Sequence, residues 1–274
     1  MIEIPESFTY AKQLNETVKG KRIAEVEAGH TPHGFAWYEG DPKEYGPKLE
    51  GKVAGESRGL GSLVEIEAED YCFVSGDGTN IRYYEKRSQI PERYQTRITF
   101  EDDSSLICTV QMYGAMFLIK PAEYDNFYYQ ITKQKPFPFT EEFDYEYFKT
   151  LREDVTGKLS IKAFLATQQR IPGLGNGVLQ DILLEAGLHP KKKIGSLREN
   201  DWKKVYEAVV TILKKMLQGG GRDTEKDLFG NPGGYVTKLS KKTFGKPCPY
   251  CGNTIQKAAY LGGTVYFCTG CQSL

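Results

Sequence analysis

RIPGLGNGV, residues 170–178, sits between two runs with helical periodicity, 159–169 and 177–186. Pro172 with Gly173, Gly175 and Gly177 in so short a connection can bare several backbone N–H groups at the start of a helix. That is a phosphate-binding device. The competing reading is a plain helix–helix connection, because glycine-rich turns are common. The rest of the chain has to choose between them.

With 274 residues the chain can bury one large core or two moderate ones. Its apolar runs are too short to span a bilayer. The N-terminus lacks the basic start and apolar block of a secretory signal, so a cytoplasmic protein without membrane contact is expected. Formal net charge is zero, but it is unevenly spread. Residues 151–274 hold 19 Lys+Arg against 10 Asp+Glu, and residues 1–150 hold 17 against 26. Such a split suggests two domains with different surfaces, the basic one suited to a polyanion. A solvated Lys-rich face is the plainer account of the same numbers.

PESFTYAKQLNETVKGKR, residues 5–22, places Phe8, Ala11, Leu14 and Val18 at helical spacing, with Pro5 and Glu6 suited to the first turn and Gly20 to the exit. From about residue 22 to 120 the pattern changes to short alternating runs such as SLVEIEA, TRITFEDDSSLICTV and AMFLIKP, parted by SGDGTN and EDDS. Strands without intervening helices predict an antiparallel sandwich. Residues 131–148, ITKQKPFPFTEEFDYEYF, break both patterns and read as a linker or covering loop. Helical periodicity then returns, with a long helix over 197–217 stopped by Gly219–Gly221. A loop of about 25 residues containing GNPGGY follows, and loops of that length are often functional. Cys72 and Cys108 lie in strand-like runs and read as buried apolar residues.

The C-terminus reads CPYCGNTIQKAAYLGGTVYFCTGCQ, residues 248–272. Cys248 and Cys251 form one CxxC, Cys268 and Cys271 the other, with a hairpin-length segment between. Four thiolates so spaced can surround one structural Zn2+ tetrahedrally. Disulfides or redox dithiols fit a reducing cytoplasm poorly. An all-thiolate site is closed, so its use lies in what the hairpin presents.

Turn and zinc hairpin together resemble the formamidopyrimidine-DNA glycosylase and endonuclease VIII family, and the resemblance covers the whole chain. IPGLGNGVLQDILLEAGLHP (171–190) looks like its helix–two-turn–helix, IEIPESFT (2–9) like its N-terminal signature, and TFEDDSSLICTVQMYG (99–114) like the strand pair before its wedge loop. The resemblance implies an α+β fold. Residues 1–130 would form an N-terminal helix and β-sandwich, 131–150 a linker, 151–240 the helix–two-turn–helix domain, and 241–274 the zinc finger. Duplex DNA with a lesion or distortion would lie between the halves of a monomer. Gly173, Gly175 and Asn176 would grip its phosphates, with Gly234 and Tyr235 of GNPGGY in the same surface.

Family enzymes attack the sugar of a damaged nucleotide with an N-terminal amine, usually a proline's, forming a Schiff base. Glu3 stands where the family has its proton-shuttling carboxylate, and Glu6 matches its second acid. Both are also ordinary acids for a helix N-terminus. Position 2, however, is Ile. Removal of the initiator methionine generally requires a small second residue, so Met1 is expected to stay, and the nucleophile would be the amine of Met1 or, after cleavage, of Ile2. Retention moves the amine up to ~3.5 Å along the chain. Other departures point the same way. No lysine occurs between Lys52 and Lys86, where the family holds a phosphate; the stretch is SRGLGSL (57–63). The gap-filling Met, Arg and Phe correspond to Val74, Met112 and Tyr113, an apolar wedge unable to hydrogen-bond an orphaned base. Gly263 replaces the hairpin arginine. These losses favour a divergent member that binds damaged, abasic or distorted DNA with base-excision and AP-lyase activity weak or lost. An active glycosylase using a primary amine and Glu3 is the alternative, and a structured-RNA binder or protein scaffold a further one.

Overall fold

The computed structural model describes residues 2–76 and 78–274. Helix α1 (Ile4–Thr17) opens the chain, with Pro5 in its first turn and Gly20 beyond its end at φ +86°. The apolar residues of α1 serve two cores. Tyr10 and Leu14 face the sandwich with Val64, Phe73, Ile98 and Met116, while Ile4 is buried among the C-terminal helices. The first helix is therefore the joint between the two halves.

The strands are β1 (Ile23–Ala28) and β2 (Ala36–Tyr38), then, after the short helix α2 (Tyr45–Leu49), β3 (Ala54–Leu60), β4 (Leu63–Ala68), β5 (Tyr71–Ser75), β6 (Thr79–Tyr84), β7 (Thr96–Phe100), β8 (Ser105–Val110) and β9 (Gly114–Ile119). They form sheets of order β1-β7-β8-β6 and β2-β9-β5-β4-β3. The expected antiparallel pairing holds except at one place. Strand β2 runs parallel to β9, with Ala36 opposite Gly114. Three residues carry too little pattern to announce a partner so distant in sequence.

Residues 131–148, expected as a linker or covering loop, are helical at both ends. They include the end of α3 (Phe127–Gln134) and the start of α4 (Tyr145–Thr150), capped by Asn126 and Asp144 respectively. The proline-containing segment between them covers α1, since the Phe8 ring lies 4.9 Å from Phe137 and 4.6 Å from Phe139. Short helices that bury only a few side chains show no long periodic stripe, which is why the sequence reads as irregular there. Beyond them α5 (Ile161–Ala166), α6 (Asn176–Glu185) and α7 (Glu199–Gln218) pack Phe164, Val178, Ile182, Val209 and Leu213 into the second core. The hairpin of β10 (Gln256–Tyr260) and β11 (Gly263–Phe267) ends the chain. Among the described residues no helix is long and apolar enough to cross a membrane.

Candidate active site

The N-terminal arm enters the joint between the halves. The Ile4 amide donates to Gly173 O at 3.2 Å, and Ser7 Oγ donates to Gly61 O at 2.6 Å. Glu3 then turns its side chain onto the start of α6. One carboxylate oxygen accepts the Gly177 amide and the other the Val178 amide, each at 2.8 Å. A carboxylate there meets two otherwise orphaned donors and the positive end of the helix dipole. Glu6 Oε2 accepts the Glu3 amide at 3.2 Å. A third charge closes the group. Arg222 Nε and Nη2 donate to the two oxygens of Glu6 at 2.9 and 2.8 Å, its backbone amide adds a bond at 3.1 Å, and Nη1 lies 3.6 Å from Glu3 Oε1. Glu3, Glu6 and Arg222 are 5, 4 and 2% exposed.

Burial raises the Glu3 carboxyl above the ordinary range, with Arg222 opposing and the neighbouring Glu6 adding to the rise. Burial disfavours the Arg222 cation, but Glu3 and Glu6 outweigh it and hold the guanidinium protonated. Burial and Arg222 thus act on this carboxyl in opposite directions, while its two oxygens stay fixed on the helix amides. A cavity of about 170 Å³ opens beside it, lined by Ile2, Glu3, Ser62, Thr167, Gln169 and Gly175 among others. A larger one, about 430 Å³, lies between the sandwich and residues 224–226, with Arg82, Gln111, Met112 and Lys226 on its walls.

The glycine-rich turn has a different first task from the one its composition suggests. Two amides at the head of α6 are occupied by Glu3. Gly173 presses against Gly61 in the β3–β4 turn, closely enough that a Cβ on either would strike backbone. A Cβ at Gly177 would overlap Arg222 Nη1 and stand 2.8 Å from Arg222 Cζ and Glu3 Oε1. These residues are small so that the arm and the arginine can approach the helix.

The hairpin is docked on the same helix and on α5. Asn176 Nδ2 donates to Thr264 O at 2.9 Å, Gln180 Oε1 accepts the Tyr266 amide at 3.0 Å, and Lys162 Nζ donates to Tyr260 O at 2.7 Å. At its base the four sulfurs of Cys248, Cys251, Cys268 and Cys271 lie within 4.8 Å of one another. Cys248 and Cys271 are 3.7 Å apart, Cys251 and Cys268 3.3 Å. A tetrahedron with metal–sulfur bonds of ~2.3 Å has edges of about 3.8 Å. The donor set thus fits a metal ion, which would clamp the hairpin and leave no coordination position open for chemistry.

Residues 135–227 match the family model described as the formamidopyrimidine-DNA glycosylase H2TH domain. Formamidopyrimidine-DNA glycosylase of Bacillus subtilis (strain 168) is 28% identical over 100% of this chain and 99% of its own length. That of Streptococcus pneumoniae (strain ATCC BAA-255 / R6) is 26% identical over 99% of both. Over its whole length the chain is similar to formamidopyrimidine-DNA glycosylases. Among solved structures, Lactococcus lactis Fpg in complex with DNA containing an abasic site matches at 24% identity and TM-score 0.83, covering 99% of this chain and 100% of that one. The MutM protein of Thermus thermophilus matches at 22% and 0.81, covering 98% of each.

Within this family fold, several expected site residues lie elsewhere than the sequence suggested. Val74 is inside strand β5, opposite Glu65 and Phe117, and is 1% exposed. It is a core residue and cannot serve as a wedge. Met112 is 73% exposed at the β8–β9 turn, and the neighbouring Tyr113 ring stands 6.1 Å from Trp37. Gly234 is exposed but its amide donates to Gly219 O at 2.7 Å, and the half-buried Tyr235 donates Oη to Asp181 Oδ2 at 3.0 Å. Asn176 gives one side-chain hydrogen to the hairpin, which leaves its amide a second. Ile2 is 4% exposed in the sandwich core, while the expectation for Met1 falls outside the described residues. Arg222 was missed. An arginine after three glycines carries no sign that it will meet acids more than 200 positions earlier.

Proposed function

We propose that this chain binds duplex DNA carrying an abasic or damaged nucleotide across the groove between its halves, and acts on it as a DNA glycosylase and AP lyase. The observation that carries this is the assembled Glu3 site. The carboxylate is buried, oriented by two helix amides, and set at the joint beside the chain terminus. Burying two carboxylates and a guanidinium costs several kcal/mol per ion unless geometry compensates. A plain scaffold has no need of that arrangement.

In this reading the uncharged N-terminal amine adds to C1′ of the opened sugar. Water leaves from the same carbon with the former aldehyde oxygen, giving a protonated imine. Glu3 is placed to hand over and recover the protons of these steps. Loss of the C2′ proton then expels the 3′ phosphate, which leaves with the electrons of the C3′–O bond. Positive charge in the C-terminal half, 19 Lys+Arg against 10 Asp+Glu, supports contact with the phosphate backbone. Zn2+ held by the four cysteines would fix the hairpin against α6 and take no part in the reaction.

Binding without cleavage is the second reading. One observation favours it: position 2 is a buried Ile where the family signature has Pro. Incubation with an abasic duplex and borohydride separates the two. The lyase reading expects a reduced covalent adduct on the N-terminal residue, located by peptide mass spectrometry. Retained affinity for the duplex without any adduct would leave binding alone.

A further inference from the structure

The clasp formed by Arg222 reaches three separated parts of the chain. Its guanidinium takes both oxygens of Glu6. Glu6 in turn holds the Glu3 amide, so the guanidinium is one hydrogen bond removed from the main chain of the arm. Nη1 reaches towards the Glu3 carboxylate, which is seated on α6. The arginine comes from the segment after α7, where Gly221, at φ +97°, turns the chain against Glu6. That segment is itself tied down, since the Tyr235 amide donates to Gly221 O and the Asp223 amide to Tyr235 O. Glu3, Glu6 and Arg222 are all buried, so the geometry is not relaxed by solvent.

The arm needs such a constraint. Proline at position 2 would fix one backbone torsion through its ring, and isoleucine does not. Residue 2 is anchored by its apolar side chain in the sandwich core, and residue 3 by the clasp. We propose that Arg222 is a positioning residue, which through Glu6 and Glu3 sets the direction in which the N-terminal arm presents its amine, in place of a ring-fixed terminus. Arg222 does not touch the reacting atoms. Its effect is on orientation, where a misplacement of about 1 Å costs about 100-fold in rate. The proposal rests on the lyase reading for its consequence but not for its geometry.

The test uses the full-length, metal-loaded protein and three variants, Arg222→Met, Arg222→Lys and Glu6→Gln, each first checked for a cooperative thermal transition. Two quantities are read. One is the single-turnover rate of borohydride-trapped adduct formation at saturating abasic duplex, beside the Kd for that duplex. The other is the rate at which an acetylating reagent labels the N-terminal amine at neutral pH, followed by peptide mass spectrometry without DNA. Arg222→Met is expected to slow trapping by roughly 100-fold while Kd moves by less than about threefold, with Arg222→Lys and Glu6→Gln between. Labelling is expected to rise at least about fivefold as the arm loosens. A folded Arg222→Met protein that traps within about threefold of wild type overturns the proposal. Should the wild type form no adduct, the lyase reading fails on its own, and labelling decides the role of Arg222. Unchanged labelling in all three variants then overturns it, and an increase graded from Lys to Met upholds it.

Discussion

Gly177→Ala offers a test in which the sign of the effect is at stake. Position 177 lies in the first turn of α6, where alanine is ordinarily the better helix former by up to about 1 kcal/mol. Here the added Cβ would overlap Arg222 Nη1 and stand 2.8 Å from Glu3 Oε1. Both groups are buried, and neither can swing into solvent without leaving its partner unpaired. Removing one partner from a buried ion pair costs roughly 3–5 kcal/mol. Less the helix gain, the substitution should destabilise by about 2–4 kcal/mol, equivalent to roughly 5–15 °C in Tm for a chain of this size. Urea unfolding followed by circular dichroism measures it. Gly263→Ala is the control: its nearest neighbour would be 3.5 Å away, an ordinary contact, and stability should stay within about 0.5 kcal/mol. In an Arg222→Ser background the overlap with the guanidinium is gone and only the Glu3 Oε1 contact remains, so Gly177→Ala should cost less, a coupling of about 1–3 kcal/mol in the double-mutant cycle. Equal or greater stability for Gly177→Ala in the wild-type chain would refute the close approach of Arg222 to α6, and with it the clasp.

Elemental analysis should find one zinc per chain, lost in Cys268→Ser; a well-folded preparation made with zinc present but holding none would contradict the thiolate site. Val74→Ala should destabilise by roughly 1–3 kcal/mol, because a buried strand residue is truncated, whereas Met112→Ala should leave stability within about 0.5 kcal/mol and weaken binding to an abasic duplex without changing its salt dependence. The reverse assignment of effects would mean the wedge has been misplaced. Asp102 supplies a pH test: burial opposes, but hydrogen bonds from Lys21 and Ser104 bring its carboxyl down from 3.8 to about 2. A folded-state value below the unfolded one gives stability that is present above about pH 4 and lost as pH falls towards about 2. Asp102→Asn should therefore lower Tm at neutral pH, with the two thermal curves converging below about pH 2; a constant offset across that range would exclude the Lys21–Asp102 contact as its source.

What could be read from the chain and what could not divides by sequence distance. Two CxxC knuckles are complete within a few residues each, and their spacing announces a four-thiolate cluster fit for a metal ion before any fold is known. Helical spacing over 197–217 likewise reports which face is buried, whereas alternation over SLVEIEA announces a strand but not that its Glu65 is buried as well. The short helices α3 and α4 were invisible because they bury too few side chains to set a stripe. Val74 was matched to the wedge by resemblance, whereas pairing on both sides keeps β5 regular through it and buries its side chain.

The sequence alone determined the four-cysteine hairpin, the sandwich and the place of Glu3 at the head of the first helix, because each depends on residues that are near neighbours in the chain. Only the tertiary structure decided what the glycines of the 173–177 turn are for, and that an arginine at 222 faces acids at 3 and 6. Close approach between backbone and a distant side chain leaves just an absent Cβ as its trace, and a glycine does not say which neighbour it was made small for.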